Sequence, residues 1–562
     1  MVVLAWLVLG LGSRVTHSLA GQDPRGADTA ATVIPAPAAH EASGAKRDTT
    51  TVRTVGSTEG HPIASVTVTP LNIYEPVPSG RFRSLYRLAN RLHVRTRKQT
   101  IRNQLLFETG DRWSDASGEE TERNLRVLDF VTPTRIEARR AGDSVHVAVV
   151  TNDLWTTSPE INFQGVEGKQ YGSISLVERN LFGLGKSFAV SYREDPIGAS
   201  RSVSYDDPNL FDSRAQFHFI ASKGSETSTD QWKVELPFYA QDTPLSYGIE
   251  WNRASSIHRL YEASREVARF DRRFYQAEIW WGRGIRRGPT IWRFVGSLLD
   301  LDRQLGPTSA EPGAPVEFLG AKERLRLHRL AAEARWWRPH FIERTHVNRM
   351  GMIEDFDLGP SATIKLGFAP EFIGSTADEG YASLRLDGGL ETGFGFGWVR
   401  SNVSSRLRRA PREILRQADV RWVSRLQDRH TFVVAVRGVA GKRMERDFQL
   451  AVGGLNGLRA YPPQTVAGTQ VLRVNAEERL KILESYGQLF TLGAVVFGDA
   501  ARAWGPGSGG GDWFFDAGAG VRIAMPQWSL RQVLRADVAW PIQPSRSGRR
   551  EPVLSFGSSQ AF

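Results

Sequence analysis

Ser173-Ile174-Ser175-Leu176-Val177 and Ser187-Phe188-Ala189-Val190-Ser191-Tyr192, joined by the turn-rich residues 180–186, decide how this chain is read. Apolar and small polar residues alternate one by one, so each segment has two unlike faces at the period of a β-strand. The rhythm returns in Gln216-Phe217-His218-Phe219, in Trp232-Lys233-Val234-Glu235-Leu236, and in residues 275–281, 292–298 and 431–436. One face carries Trp, Phe and Leu, the other Arg and Glu. From Ser158 onward helical periodicity disappears. Short connections such as Gln241-Asp242-Thr243-Pro244 alternate with long polar ones such as residues 302–323. Short turns at one end and long loops at the other are the pattern of a transmembrane barrel, where every backbone group pairs and polar side chains line the lumen. Trp280, Trp281, Trp336, Trp337, Phe394 and Trp398 fall near strand ends, where an interfacial girdle is expected. A soluble sandwich is the alternative, and it would need two-sided burial.

Composition agrees with export. The 562 residues are 41% hydrophobic, yet no apolar run approaches the length of a spanning helix. Residues 1–20 hold a short apolar stretch and end Ser18-Leu19-Ala20, a small-x-small cleavage pattern, so they read as a signal peptide. There is no cysteine, which excludes thiol catalysis and thiolate metal sites and leaves the core or closed sheet bonding to hold the chain. The net charge of +11 comes without a basic block or a nucleic-acid fold motif, so nucleic acid is not an expected partner. A charged lumen, solvated faces or anionic lipid account for it better.

Residues 21–60 are rich in Ala, Thr, Pro, Ser and Gly and read as a disordered linker. Ser65-Val66-Thr67-Val68-Thr69 alternates as a strand. Leu85, Leu88, Ala89 and Leu92 then share one helical stripe, residues 100–108 form a second short helix, and Ser114 or Asp115 caps a third whose Leu125 and Leu128 face inward. Residues 134–139 and Val145, Val147 and Val149 alternate again around the turn Ala141-Gly142-Asp143. Residues 61–153 thus form a small α+β domain ahead of a long β region, residues 154–562.

Within that region stands Gly453-Gly454-Leu455-Asn456-Gly457-Leu458-Arg459-Ala460-Tyr461-Pro462, followed by Phe497-Gly498-Asp499-Ala500-Ala501. An arginine on a glycine-rich loop and a carboxylate in an apolar strand both need partners away from bulk water. The economical solution is a loop folded inward, with Arg459 on Asp499 and on Glu477 of Asn475-Ala476-Glu477-Glu478-Arg479.

Four stretches together resemble the outer-membrane assembly superfamily (BamA/TamA-like, bacterial surface antigen family). They are Asp153-Leu154-Trp155-Thr156-Thr157; Glu178-Arg179-Asn180-Leu181-Phe182-Gly183-Leu184-Gly185 with Tyr205-Asp206-Asp207-Pro208-Asn209-Leu210; the arginine loop with its aspartate strand; and residues 552–562, closing on Phe562. The resemblance implies an all-β transmembrane barrel of about sixteen antiparallel strands, preceded by one POTRA-like periplasmic domain. It implies a lumen strut built from Arg459, Asp499, Glu477, Gly454, Gly457 and Tyr461, and a terminal seam strand carrying Phe556 and Phe562. The family places glycine after the arginine and after the aspartate; here Ala460 and Ala501 stand there. Leu554, Phe556 and Phe562 share a face that Ser558 and Gln560 interrupt, so the last strand reads as weak.

The implied function is assembly, insertion or translocation of proteins at the bacterial outer membrane by strand pairing, without nucleotide or cofactor. The implied partners are the bilayer, unfolded or secreted client proteins, and accessory lipoproteins. A single POTRA-like unit suits a specialised paralogue better than a main assembly factor. A passive porin-like channel and a structural surface antigen are the alternatives. No catalytic constellation is present: Gly183-Leu184-Gly185-Lys186-Ser187 imitates the tail of a phosphate loop, but Asn180 stands where its first glycine belongs and a strand follows. Residues 505–511 have no following lysine, and neither Gly-x-Ser-x-Gly nor His-Glu-x-x-His occurs.

Overall fold

A computed structural model describes residues 38–40, 52–166, 169–195, 198–262, 264–427, 429–454, 457–508, 510–529, 533–544, 548 and 550–558. The leader, most of the linker, Leu455, Asn456 and Phe562 lie outside the described residues. No described helix is long and apolar enough to cross a membrane, which says nothing of strands.

The β region closes on itself. Twenty antiparallel strands run in sequence order from Thr157–Val166 to Val553–Ser558, and the last pairs with the first. This corrects the expected count of about sixteen. That number came with the resemblance, whereas the turns themselves mark more hairpins, such as Gly288 between Arg265–Arg287 and Thr290–Leu305.

Along each strand, side chains divide between two environments. Trp281, Leu366 and Val496 are 56%, 57% and 64% exposed on the outer wall, while Glu477 and Asp537 inside are fully buried. The tryptophan pairs split accordingly. Trp281 points outward, but Trp280 lies inside under Lys233, and Trp337 lies inside against Arg293 and Arg335. Trp398 packs on Phe356 and Phe396 inside the barrel. Half of the expected girdle is therefore lumenal, because neighbours on a strand face opposite ways.

The small domain is a four-stranded sheet in the order Val52–Val55, Val131–Ala141, Ser144–Asp153, Ile63–Leu71, with helices Arg83–Leu92, Lys98–Arg102 and Asp115–Val127. Its core is Ile63, Val68, Ile101, Trp113, Leu125, Ile136, Val145, Val147 and Val149. The stripe Leu85, Leu88 and Leu92 is exposed instead of buried, and Tyr86 is the side chain that this helix turns inward. Tyr86 donates to the carbonyl of Gly487, so the helix is aligned by the barrel rim and not by its leucines.

Near-mouth turns of the barrel seat this domain. The Gly183 carbonyl accepts from Arg97 N at 2.9 Å and Thr100 Oγ1 at 3.0 Å. A Cβ on Gly183 would come within 2.4 Å of the Arg95 carbonyl, and one on Gly185 within 2.7 Å of Phe130. The segment that imitates a phosphate loop is a docking turn. Gln241 N reaches Glu120 at 2.7 Å, and Trp155 N reaches the Gln527 carbonyl at 2.8 Å.

Two segments depart from plain hairpins. Residues 443–454 and 457–469, at the far mouth, fold inward around a small ladder of Leu450–Val452 with Val466–Gly468. Residues 338–360, at the near mouth, carry a hairpin of Phe341–Thr345 and Met352–Asp357 that also enters the barrel.

Candidate functional site

The far-mouth loop turns on three glycines in backbone that favours glycine. Gly453, Gly454 and Gly457 have φ of +145°, +65° and +88°. A Cβ on Gly457 would sit 2.1 Å from Arg473 Cδ, and one on Gly453 2.0 Å from the Pro462 carbonyl. Gly454 N donates to the Tyr461 carbonyl at 2.7 Å and closes the turn.

That turn delivers Arg459 to the inner wall, where it is 2% exposed. Its Nε and Nη2 bind the two oxygens of Asp499 at 2.7 and 2.9 Å, and Nη1 binds Glu477 at 2.7 Å. The guanidinium carbon lies 3.3 Å from the centre of the Phe497 ring. A planar cation with fixed donors suits such a two-carboxylate seat better than lysine would. Gly454, Gly457, Arg459, Tyr461, Glu477 and Asp499 thus meet in one place. Tyr461 is fully buried; its hydroxyl donates to the Phe515 carbonyl at 2.8 Å, and its ring packs edge-on to Phe514.

Ala460 and Ala501, where the resemblance led one to expect glycine, are both buried beside the seat. Ala460 N donates to Asp516 at 3.1 Å, so the loop backbone still reaches the wall.

The seat is larger than the sequence suggested. Arg522 binds Asp537 and approaches Glu477 at 3.6 Å, Arg535 binds Asp537 at 2.9 Å, and Asn475 binds Asp499 at 2.7 Å. Arg479 donates to the second Glu477 oxygen at 2.8 Å. These residues left a trace: Asp516 with Arg522, and Arg535 with Asp537, occupy alternate positions of otherwise apolar strands. Nothing in their spacing says which cation meets which anion. Charges so deeply buried are tolerable only when fully paired.

The loop also reaches the closure of the barrel. Gln164, on the first strand, donates to the Arg459 carbonyl at 3.4 Å. Beside it, among the described residues, the last strand meets the first at three register positions: Leu554 opposite Gly165, Ser555 opposite Gln164, and Phe556 opposite Phe163. The first strand makes ten such pairs with its other neighbour. Phe556 and Leu554 point outward and are partly exposed.

This is a closed barrel with its loop locked inward. No protein-family model and no curated protein matches the chain. Among solved structures, CdiB from Acinetobacter baumannii is 13% identical over 89% of this chain and 74% of its own length, with a TM-score of 0.43. BamA from Haemophilus ducreyi lacking POTRA domains 1–3 is 13% identical over 88% of this chain and 85% of its own, at 0.39. CdiB from Escherichia coli is 10% identical over 89% and 76%, at 0.45. Among the described residues, no group of three or more His, Asp and Glu side chains converges in the way a metal site needs.

Proposed function

We propose that the chain is an outer-membrane barrel of the assembly superfamily, with a POTRA-like domain in the periplasm, that inserts or translocates polypeptide by strand pairing at its seam. The observation that carries this reading is the closure of the last strand on the first, three pairs long among the described residues, with the locked loop touching the first strand beside it. A strand edge that makes few hydrogen bonds to its neighbour is the cheapest place to add another strand. Backbone bonds made there lower the cost of bringing an unpaired client strand into lipid. The latch of Arg459, Asp499 and Glu477 acts conformationally, holding the wall next to the seam while the seam opens.

The client enters along the small domain. Val52–Val55, which covers the Val131–Ala141 edge, and Ile63–Leu71 are the two edge strands of that sheet among the described residues, four and nine residues long, and the longer edge is Ile63–Leu71. Client addition is assigned to that edge. A passive channel fits less well, because inward segments occupy the lumen from both mouths.

Gly165→Cys with Leu554→Cys tests the seam, since these residues face each other across it. In oxidised cells the locked protein should fail to support insertion or secretion of its dependent outer-membrane proteins, and reduction should restore it. A locked barrel that supports every client as well as the reduced one overturns the reading.

A further inference from the structure

The hairpin at 341–357 leaves the near mouth and crosses to the far wall of the lumen. Its apolar side, Ile342, Val347, Phe356 and Leu358, packs on Phe396, Val423 and Val433. Its tip reaches further. Met350 clusters with Ala524 and Val533, and Gly493 makes the seat: a Cβ there would come within 2.7 Å of the Met350 methyl. The tip is self-capped, because the Glu354 carboxylate accepts from the backbone N of Val347, Asn348 and Arg349 at 2.8–3.2 Å.

Besides its pairing with Ala38–His40 and an Arg344–Glu391 ion pair, polar contacts tie the hairpin to its surroundings. Arg479 donates to the Val347 carbonyl while its Nε holds one oxygen of Glu477, whose other oxygen holds Arg459 of the far-mouth loop. His346 lies 3.3 Å from Glu484 on the wall. At its base, Asp355 and Glu343 bind Arg126 of the small domain at 3.1 and 2.6 Å, with Glu122 of the same helix at 2.8 Å. One carboxylate, Glu477, therefore connects the segment entering from outside with the segment entering from inside.

We propose that the 341–357 hairpin is an internal gate of the lumen, and that Glu477 and Arg479 couple its withdrawal to release of the arginine loop while Arg126 couples it to movement of the small domain. The inference does not rest on the client reading, since it concerns passage through the lumen and not pairing at the seam. Hairpin and latch share a hydrogen-bonded chain in which removing one end leaves a buried charge at the next, so the two segments favour leaving together. Trp337 and Ser361 are already paired neighbours, so a short turn can replace the hairpin without stretching the barrel.

The full chain is reconstituted in planar bilayers in two forms. The first replaces residues 341–357 by a Gly-Ser turn, with folding checked by heat-modifiable gel mobility. The second carries His346→Cys with Glu484→Cys, which fastens the hairpin to the wall when oxidised. Conductance should rise several-fold on deletion; for the cysteine pair, opening events should appear when reduced and vanish when oxidised. Ala460→Cys, added to each background, reports the loop: maleimide labelling should speed up several-fold in the deletion and in Glu477→Gln. A folded deletion with unchanged conductance, or identical traces from oxidised and reduced pairs if the deletion does not fold, overturns the gate. Raised conductance with unchanged Ala460→Cys labelling overturns the coupling.

Discussion

The wall from Gln470–Tyr486 to Val533–Pro541 and the seam beside it are made of the same material and held to opposite standards. The wall strands pair over long registers, and buried charges from four strands and the loop converge on the seat between them. Next to it, Val553–Ser558 meets the first strand at three positions. Stability is concentrated on one side of a boundary a single strand wide. Bonding among the described residues is uneven, a firm jamb beside a lightly paired closure, and the proposed seam function treats that closure as the door.

The largest effect should come from breaking the jamb. Arg459→Ala leaves Asp499 and Glu477 buried without their shared cation, a loss of about 3–5 kcal/mol for a broken buried pair. Thermal melting followed by gel mobility should show it, and Arg459→Lys should rescue only in part, because one ammonium cannot reproduce the fork. If Arg459→Ala melts as the parent does, the wall does not depend on the latch.

Gly457→Val comes next. It places a branched side chain at φ +88° and against Arg473, costing about 1–3 kcal/mol in strain. Its signature is local: protease sensitivity at the loop should rise before the barrel melts.

A third test concerns the near mouth, where Arg126 of the small domain grips the hairpin that is chained to the wall. Burial pushes Glu122 up to about 7, against the pull of Arg126 and with Glu343 and Asp355 adding to the rise. Burial likewise pushes Asp355 up to about 6, opposed by Arg126 and Arg123 and reinforced by Glu343 and Glu354. Groups raised on folding hold extra protons in the assembled contact, so the contact is strongest below about pH 4 and weakens as pH rises through 6 to 7. Cross-linking between the helix and the hairpin should fall from pH 5.5 to 8, and Glu122→Gln should flatten the profile. Cross-linking that increases from pH 5.5 to 8 would contradict the assignment.

Phe556→Ala should do least to stability, since the ring lies on the outer wall and takes no part in the charged seat. Amide exchange in Val553–Ser558 should nonetheless outpace that in Trp513–Ala524. Equal protection in the two strands would erase the contrast between jamb and door.

Alternation, one residue at a time, was enough to read a barrel, because a wall with lipid outside and water inside writes its period into the sequence. The arginine loop was legible for a similar reason: glycines at turns and one cation near an apolar carboxylate strand leave few other arrangements. Strand number was not, since a twenty-strand and a sixteen-strand wall share the same period and differ only in turns. Nor was the inward hairpin, because Ile342, Val347 and Phe356 look like any short strand pair and their burial depends on Phe396 and Val433, far along the chain. The exposed Leu85, Leu88 and Leu92 mislead for the opposite reason: their helical spacing is sound, but contact with the barrel at Gly487 turns Tyr86 inward instead.

The split tryptophan pairs carry a consequence for assembly. At Trp280-Trp281 and Trp336-Trp337, lipid and lumen are separated by one backbone, and each pair has its own charged lumenal neighbours. Sliding Glu323–Trp337 by one position would turn Arg335 and Glu333 out into hydrocarbon and bring Ala332 and Ala334 in. An arginine facing the bilayer midplane costs about 2–4 kcal/mol, less nearer the interface. Each doublet thus works as a register key, because a strand paired one step out of phase exchanges its two faces and incurs that cost at once.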